Sequence, residues 1–211
     1  MGGNINQKQQ VTAIFLDRDG TINEEIGFVD RLEKLRLIPG AAEAIRMINE
    51  SGFKAIVVTN QSGVGRGFFD EETLAATHQK LQTLLLEKGA WIDAFLYCPH
   101  HPTEGRGIYL KDCPCRKPAP GMLLRAKDEW GVTLEDSYII GDTLKDIEAG
   151  ARAGVRGVLV KTGYGSEAAA KLADATSEPQ NTILYRPLSI AADLAEAVRW
   201  IIMNQNKKEA P

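Results

Sequence analysis

The sequence predicts an α/β fold, a Rossmann-like parallel sheet sandwiched by helices, and three observations lead to it. Five short apolar runs recur along the chain, stretches of helical periodicity separate them, and two of the runs close on an aspartate. Strands of a parallel sheet are covered on both faces, so they read as continuous apolar runs rather than as alternating ones. A chain of 211 residues can build one sizeable core and is short for two. A single domain spanning 1–211 is therefore expected.

In chain order, residues 1–10, "MGGNINQKQQ", read as a flexible lead-in, with no apolar stretch for a signal peptide and with Asn6 where a myristoylation site needs Ser or Thr. Strands are expected at 13–17, 54–60, 94–98, 138–142 and 157–163. The first connecting helix opens after Pro39 and closes at Gly52, and Asp70 is placed to cap a second that stops at Gly89. Three more helices are expected near 120–130, 143–153 and 189–204, with a late strand at 182–186. "SGVGRG" (62–67) matches neither glycine-rich nucleotide signature and reads as a flexible rim loop with Arg66 as a candidate substrate contact. The end, 205–211, reads as a solvated tail.

A formal net charge of -3 provides no polycationic surface, so a small ligand is a better default than nucleic acid. No run of about 18 apolar residues occurs, so no membrane span is expected. The expectation is a cytoplasmic monomer.

Ligands of open parallel sheets lie beyond the carboxyl ends of the strands, so Asp17, Thr59 and Asp142 are placed to converge. "DRDGT" adds Asp19 two residues after Asp17, one side-chain period in extended chain, so both carboxylates can face one ligand. A calcium loop fails on spacing, because its sixth and twelfth positions would be Ile22 and Phe28. On this stretch alone a turn or helix cap is as good a reading as a site.

All three cysteines fall in "CPHHPTEGRGIYLKDCPCRKPAPG" (98–121). Cys98-x-His100 and Cys113-x-Cys115 are two pairs whose members can face one way, and together they match a closed Cys₃His zinc site. Four protein ligands leave no open position, so the zinc is expected to be structural, stapling a loop over about 98–115. Arg116 and Lys117 follow the last ligand directly, so fixing Cys115 also fixes where these charges point. His101 would face elsewhere, and His78, within an expected helix, reads as packing or surface.

The order D-x-D-G-T (17–21), strand-end Thr59, Lys117 before Pro118 and G-D-x-x-x-D (141–146) resembles the haloacid dehalogenase superfamily of aspartate-nucleophile phosphatases over roughly residues 12 to 163. "DRDGTIN", "TNQSGVGRG", "YCPHHP" and "CRKPAPGM" narrow the resemblance to its capless branch with a zinc-binding loop. The resemblance implies Asp17 as nucleophile and Asp19 as acid/base, with Mg²⁺ held by Asp17, the Asp19 backbone carbonyl and Asp142. Thr59 and Lys117 would bind phosphoryl oxygens, and Asp146 would order the metal shell or orient Lys117. It also implies substrate contacts from Glu25, Ile26, Gly27, Phe28, Thr59, Asn60, Gln61, Ser62, Arg116 and Lys117. Thr143 departs from branch members that carry Lys after the metal aspartate, leaving any contact from that position open.

The implied activity is hydrolysis of the 7-phosphate of a heptose 1,7-bisphosphate, leaving a 1-phosphate for nucleotide-heptose and surface-glycan synthesis. Histidinol phosphate is the alternative substrate, and a zinc-stabilised binding module without catalysis is the alternative class. The complete set of Asp17, Asp19, Thr59, Lys117 and Asp142 argues against the module.

Overall fold

The computed structural model describes residues 11–177 and 185–205. Six parallel strands form one sheet: β1 (Ala13–Leu16), β2 (Lys54–Asn60), β3 (Ala94–Cys98), β4 (Tyr138–Gly141), β5 (Arg156–Val160) and β6 (Ser189–Ala191), in the spatial order β3-β2-β1-β4-β5-β6. The chain moves outward in one direction through β1, β2 and β3, then returns to the centre and moves the other way from β4. The order therefore reverses between β1 and β4, where an open α/β sheet leaves a crevice at its carboxyl edge. Asp17 and Asp142 are the residues immediately after these two strands.

Side chains alternate across the buried strands. Ile14, Leu16, Val57, Ile140 and Val158 face one way, against α1 (Ala41–Glu50), α3 (Glu71–Leu86) and α7 (Leu194–Gln205). Phe15, Ile56, Val58, Leu96 and Ile139 face the other, against α4 (Gly121–Trp130) and Ala149 of α5 (Leu144–Ala153). The five expected strands are present, the fifth shifted to 156–160. Asp70 caps α3, its carboxylate accepting from the Thr73 N–H at 2.7 Å. The long connections 17–40 and 99–120 contain no element beyond a three-residue helical turn, as expected of a capless member.

Three local expectations are corrected. Residues 62–66 of the supposed flexible loop form a short helix, α2 (Ser62–Arg66), whose Gly63, Val64 and Gly65 are buried. The helix expected at 189–204 begins only at Leu194, because 189–191 form β6 against β5. The strand expected at 182–186 lies partly outside the described residues, and Tyr185 and Arg186 are not in a strand. One helix was not expected at all: α6 (Gly165–Ser177), which buries Ala168 and Leu172 against Ile147 and Leu159. The lead-in 1–10 and tail residues 206–211 lie outside the described residues, and Gln205 is the last residue of α7. Among the described residues no helix is long and apolar enough to cross a membrane.

Candidate active site and zinc loop

The Asp17 N–H donates to the Ile140 carbonyl at 2.9 Å, so this residue continues the β1–β4 ladder and its position is set by the sheet. The chain then turns sharply: Gly20 takes φ 79°, its N–H donates to the Asn23 carbonyl at 2.7 Å, and Ile22 and Asn23 donate to the Arg18 carbonyl. The turn brings Asp19 beside Asp17. The Arg18 side chain, 1% exposed, folds back to grip both Asp19 oxygens through Nη2 at 2.9 and 2.8 Å. Asn23 donates to Asp19 Oδ1 at 2.9 Å and Gln61 to Asp19 Oδ2 at 2.8 Å. Burial alone would raise the Asp19 carboxyl, but the Arg18 charge and these bonds outweigh it and hold the group below the usual carboxylate range. The same Gln61 amide donates to Thr59 Oγ1 at 2.9 Å, tying the end of β2 to Asp19.

Lys117 reaches the cleft floor from the exit of the cysteine loop. Its ammonium contacts Asp17 Oδ1 at 2.9 Å and Asp146 Oδ1 at 2.5 Å, and donates to the Val58 carbonyl at 2.7 Å. These partners raise its pKa despite complete burial. Asn60 fixes the lysine backbone from both sides: Lys117 N–H donates to its Oδ1 and its Nδ2 donates to the Lys117 carbonyl, each at 3.0 Å. Asp146 is wholly buried in the first turn of α5, where its other oxygen accepts from the Thr143 N–H and hydroxyl at 3.1 and 2.6 Å. Both Asp146 oxygens therefore have partners within the chain, and Thr143 is a helix cap.

Asp142 lies in a backbone cradle. A Cβ on Gly20 or on Gly163 would come within 2.2 or 2.1 Å of Asp142 Oδ2, and the Tyr164 N–H donates to that oxygen at 2.8 Å. Burial, reinforced by the Asp17 charge, pushes the Asp142 carboxyl up to about 8, and burial pushes Asp17 up to about 7 although Lys117 opposes it. Carboxylate oxygens of Asp17, Asp142 and Asp146 lie within 4.8 Å of one another. Hard oxygen donors in this surplus of buried negative charge fit Mg²⁺. Asp146 has both oxygens engaged by Lys117 and Thr143, whereas Asp17 is held at Oδ1 and Asp142 at Oδ2, each by one oxygen alone.

These groups surround a cleft of about 380 Å³. Of the expected substrate contacts, Glu25, Gly27, Phe28, Thr59, Asn60, Gln61, Ser62, Arg116 and Lys117 line it; Ile26 is not among its lining residues and is 45% exposed. Lys145 and Tyr164 line it in addition. Phe28 packs tilted against Phe68 and edge-on to Phe69 at the rim, and Gly63 is the residue over which they close, since a Cβ there would meet Phe69 at 2.3 Å. Arg66, the candidate substrate contact of the supposed loop, turns away and pairs with Glu104 at 2.5 Å and with the His101 ring.

The cysteine loop closes on itself as its spacing predicts. Donor atoms of Cys98, His100, Cys113 and Cys115 lie within 4.8 Å of one another. His100 Nδ1 is 3.6 Å from Cys98 Sγ and from Cys115 Sγ, close to the edge of a tetrahedral zinc site, which is about 3.5 Å for metal–ligand bonds of about 2.3 and 2.0 Å. Cys113 and Cys115 stand closer, at 2.7 Å. Three thiols in mutual contact cannot all ionise unaided: Cys98 is pulled down by its bond from Cys115, while burial holds Cys113 up. The donor set therefore fits a divalent thiophilic cation. His101 faces out of the cluster, and Arg116 lies between cluster and cleft, donating to the His100 carbonyl at 3.2 Å.

A profile of haloacid dehalogenase-like hydrolases matches residues 6–154, and a HAD-hydrolase-like profile matches 114–197. The chain belongs to the haloacid dehalogenase-like hydrolase family. Among curated relatives, the D-glycero-beta-D-manno-heptose-1,7-bisphosphate 7-phosphatase of Pasteurella multocida is 43% identical over 72% of this chain and 82% of its own length. The enzyme of that name from Photorhabdus laumondii is 38% identical over 92% and 98%. The D,D-heptose 1,7-bisphosphate phosphatase of B. bronchiseptica, solved with magnesium and phosphate, superposes with a TM-score of 0.77 at 33% identity, covering 95% of this chain and all of that one.

Several residues of this hydrolase site had no signal in the sequence. Arg18, between the two aspartates, carries no expected role, yet it is buried and organises Asp19. Gly163 and Tyr164 lie beyond the last motif and reach Asp142 only through the packing of β5 beside β4. The one available hint is the pair of glycines in "KTGYG", where a backbone must approach something closely.

Proposed function

We propose that the protein is a magnesium-dependent phosphatase that removes the 7-phosphate of D-glycero-beta-D-manno-heptose 1,7-bisphosphate by way of an aspartyl-phosphate at Asp17. The observation that carries this reading is the meeting of Asp17, Asp19, Thr59, Lys117 and Asp142 at one cleft. The names of relatives 38–43% identical to the chain support the substrate and its anomer.

On this reading Asp17 attacks phosphorus, forming the Asp17–phosphorus bond as the bond to the sugar oxygen breaks. Lys117 holds Asp17 Oδ1 and leaves Oδ2 clear of that contact. Asp19 donates a proton to the departing alkoxide, which is a poor leaving group without one. Its carboxyl is held ionised before substrate arrives; an entering phosphate dianion raises its proton affinity, so it takes from solvent the proton that it gives to the alkoxide. Asp19 then takes a proton from the water that cleaves the aspartyl-phosphate, releasing phosphate and restoring Asp17. Mg²⁺, held by Asp17, Asp142 and the Asp19 backbone carbonyl, supplies positive charge against the phosphoryl oxygens. Thr59 and Lys117 contribute the chain's own donors to those oxygens. Asp146 orients Lys117 rather than binding metal. Zinc at Cys98, His100, Cys113 and Cys115 staples the loop that presents Arg116 and Lys117.

The test is a comparison of kcat/KM, with Mg²⁺ present, for both anomers of the heptose bisphosphate, histidinol phosphate and an aryl phosphate. The β anomer is expected to lead. Equal or better turnover of histidinol phosphate would reassign the substrate, and no phosphate release from any of the four would leave the binding-module reading. The three unpaired thiols support action in the cytoplasm. The proposed monomer predicts sedimentation at the mass of one 23.1 kDa chain.

A further inference from the structure

Behind the cleft, two buried nitrogens have no hydrogen-bond partner among the described residues: Arg18 Nη1 and His78 Nε2. Their side chains are 1% and 7% exposed, so water at the surface does not serve them. The rest of the Arg18 guanidinium is fully engaged, with Nε and Nη2 donating to Asp19 and Nη2 also to Gln61. Nη1 is its one idle edge.

His78 belongs to α3. Its ring stacks on Phe95 at 4.6 Å and meets the edge of Tyr97 at 6.0 Å. Those two β3 residues pair in register with Val57 and Thr59 of β2, and the Thr59 hydroxyl is bonded to the Gln61 amide that also holds Arg18. The histidine therefore lies one strand from the Arg18–Gln61–Asp19 network. The charged groups that act on it are Arg18 and Asp19. A guanidinium has only donors, so the nitrogen that suits it is the bare one of a neutral imidazole.

We propose that one buried water joins the two, accepting from Arg18 Nη1 and donating to His78 Nε2, and that His78 is thereby a positioning residue for the Arg18 clamp on Asp19 and Gln61. Burial and the Arg18 charge push the ring down to about 3, which keeps it neutral and able to accept at neutral pH. The structural alternative is that His78 serves only as an aromatic partner for Phe95. The functional consequence rests on the phosphatase reading, whereas the hydrogen bond does not.

Two variants separate the alternatives. His78→Phe keeps an aromatic ring for the stack and removes the acceptor; His78→Gln removes the ring and keeps an acceptor. If the acceptor matters, His78→Gln holds kcat within about threefold of the parent, while His78→Phe lowers kcat by about tenfold or more with KM little changed. Parental turnover in His78→Phe, or an equal loss in both variants, overturns the proposal. The ring itself is read without turnover by ¹⁵N NMR of histidine-labelled protein, with the His78 signals assigned by their loss in His78→Gln. A neutral ring protonated on Nδ1 and bare at Nε2 is expected from about pH 5 to 8, a range in which an unperturbed histidine titrates. A proton on Nε2 overturns the proposal whether or not the protein proves to be a phosphatase and whether or not His78→Phe folds.

Discussion

Replacing Gly163 with alanine tests whether the backbone cradle, and not Asp142 alone, builds the magnesium site. The new Cβ would lie 2.1 Å from Asp142 Oδ2 and 2.6 Å from the Gly20 Cα, whereas ordinary contact begins near 3.4 Å. The backbone of Gly20 blocks one escape, so the carboxylate has to retreat by about 1.3 Å, the difference between 3.4 and 2.1 Å, and it loses its bond from the Tyr164 N–H. A misplacement of about 1 Å at a reacting centre costs on the order of a hundredfold in rate. Lost support for a metal ligand costs about 10–100-fold in affinity. Gly163 also has φ 53°, which adds about 1–2 kcal/mol of backbone strain for alanine. Gly154→Ala separates the two effects, because Gly154 has φ 78° and nothing within 4 Å of its would-be Cβ. Both variants should melt earlier. Only Gly163→Ala should weaken Mg²⁺ binding in calorimetric titration, by at least about tenfold, with a matching rise in the Mg²⁺ needed for half-maximal phosphate release. Parental Mg²⁺ affinity in Gly163→Ala, or an equal loss in Gly154→Ala, would refute the cradle.

Asp17 and Asp142 carry folded-state pKa values raised from 3.8 to about 7 and about 8, so without Mg²⁺ the folded chain binds more protons than the unfolded chain across that interval. The stability these two groups contribute is fully present below about pH 4 and is lost as the pH rises through 7 and 8; thermal melts in Mg²⁺-free buffer should show that decline over this interval and added Mg²⁺ should restore most of it at the alkaline end, whereas a Mg²⁺ effect independent of pH would count against it. Metal analysis of protein purified without chelator should find about one zinc per chain, and Cys113→Ser should lose it together with thermal stability; zinc-free protein of full stability would dismiss the staple. Arg116, on the cleft wall and bonded to the His100 carbonyl, is the rim cation nearest the zinc loop. Arg116→Ala should cut kcat/KM for the bisphosphate about tenfold, or about 1.4 kcal/mol, and affect an aryl phosphate much less; equal losses would mean general support of the loop.

The strands were readable because a parallel strand covered on both faces has nothing polar to interrupt it, as in "AIFL" and "YIIG". The cluster of Cys98, His100, Cys113 and Cys115 was readable because Cys-x-His and Cys-x-Cys carry their chemistry in residue type and one-residue spacing. What escaped depends on partners far away in the chain. Helix α6 follows the fifth expected strand and carries no residue of the motifs, and β6 is three residues long, held by its neighbour β5 rather than by its own composition. "SGVGRG" suggests flexibility, yet its glycines are there because Phe69 and the Pro99 carbonyl would meet a Cβ at 2.3 and 2.4 Å. Arg18 is a charged residue by type and a buried one by position, and Asp19 and Gln61, which accept from its guanidinium, make that position tolerable. Asn60, expected as a substrate contact, has its whole amide on the Lys117 backbone, a pairing across 57 residues that no local pattern encodes.

The most direct test of the account is ³¹P NMR of D-glycero-beta-D-manno-heptose 1,7-bisphosphate incubated with the protein and Mg²⁺, with Asp17→Asn beside it. The C7 phosphate resonance should disappear as inorganic phosphate grows, the anomeric phosphate resonance should persist, and Asp17→Asn should leave both unchanged while melting as a folded protein. Loss of the anomeric phosphate first, or continued turnover by Asp17→Asn, would contradict the assignment of substrate position in the one case and of nucleophile in the other.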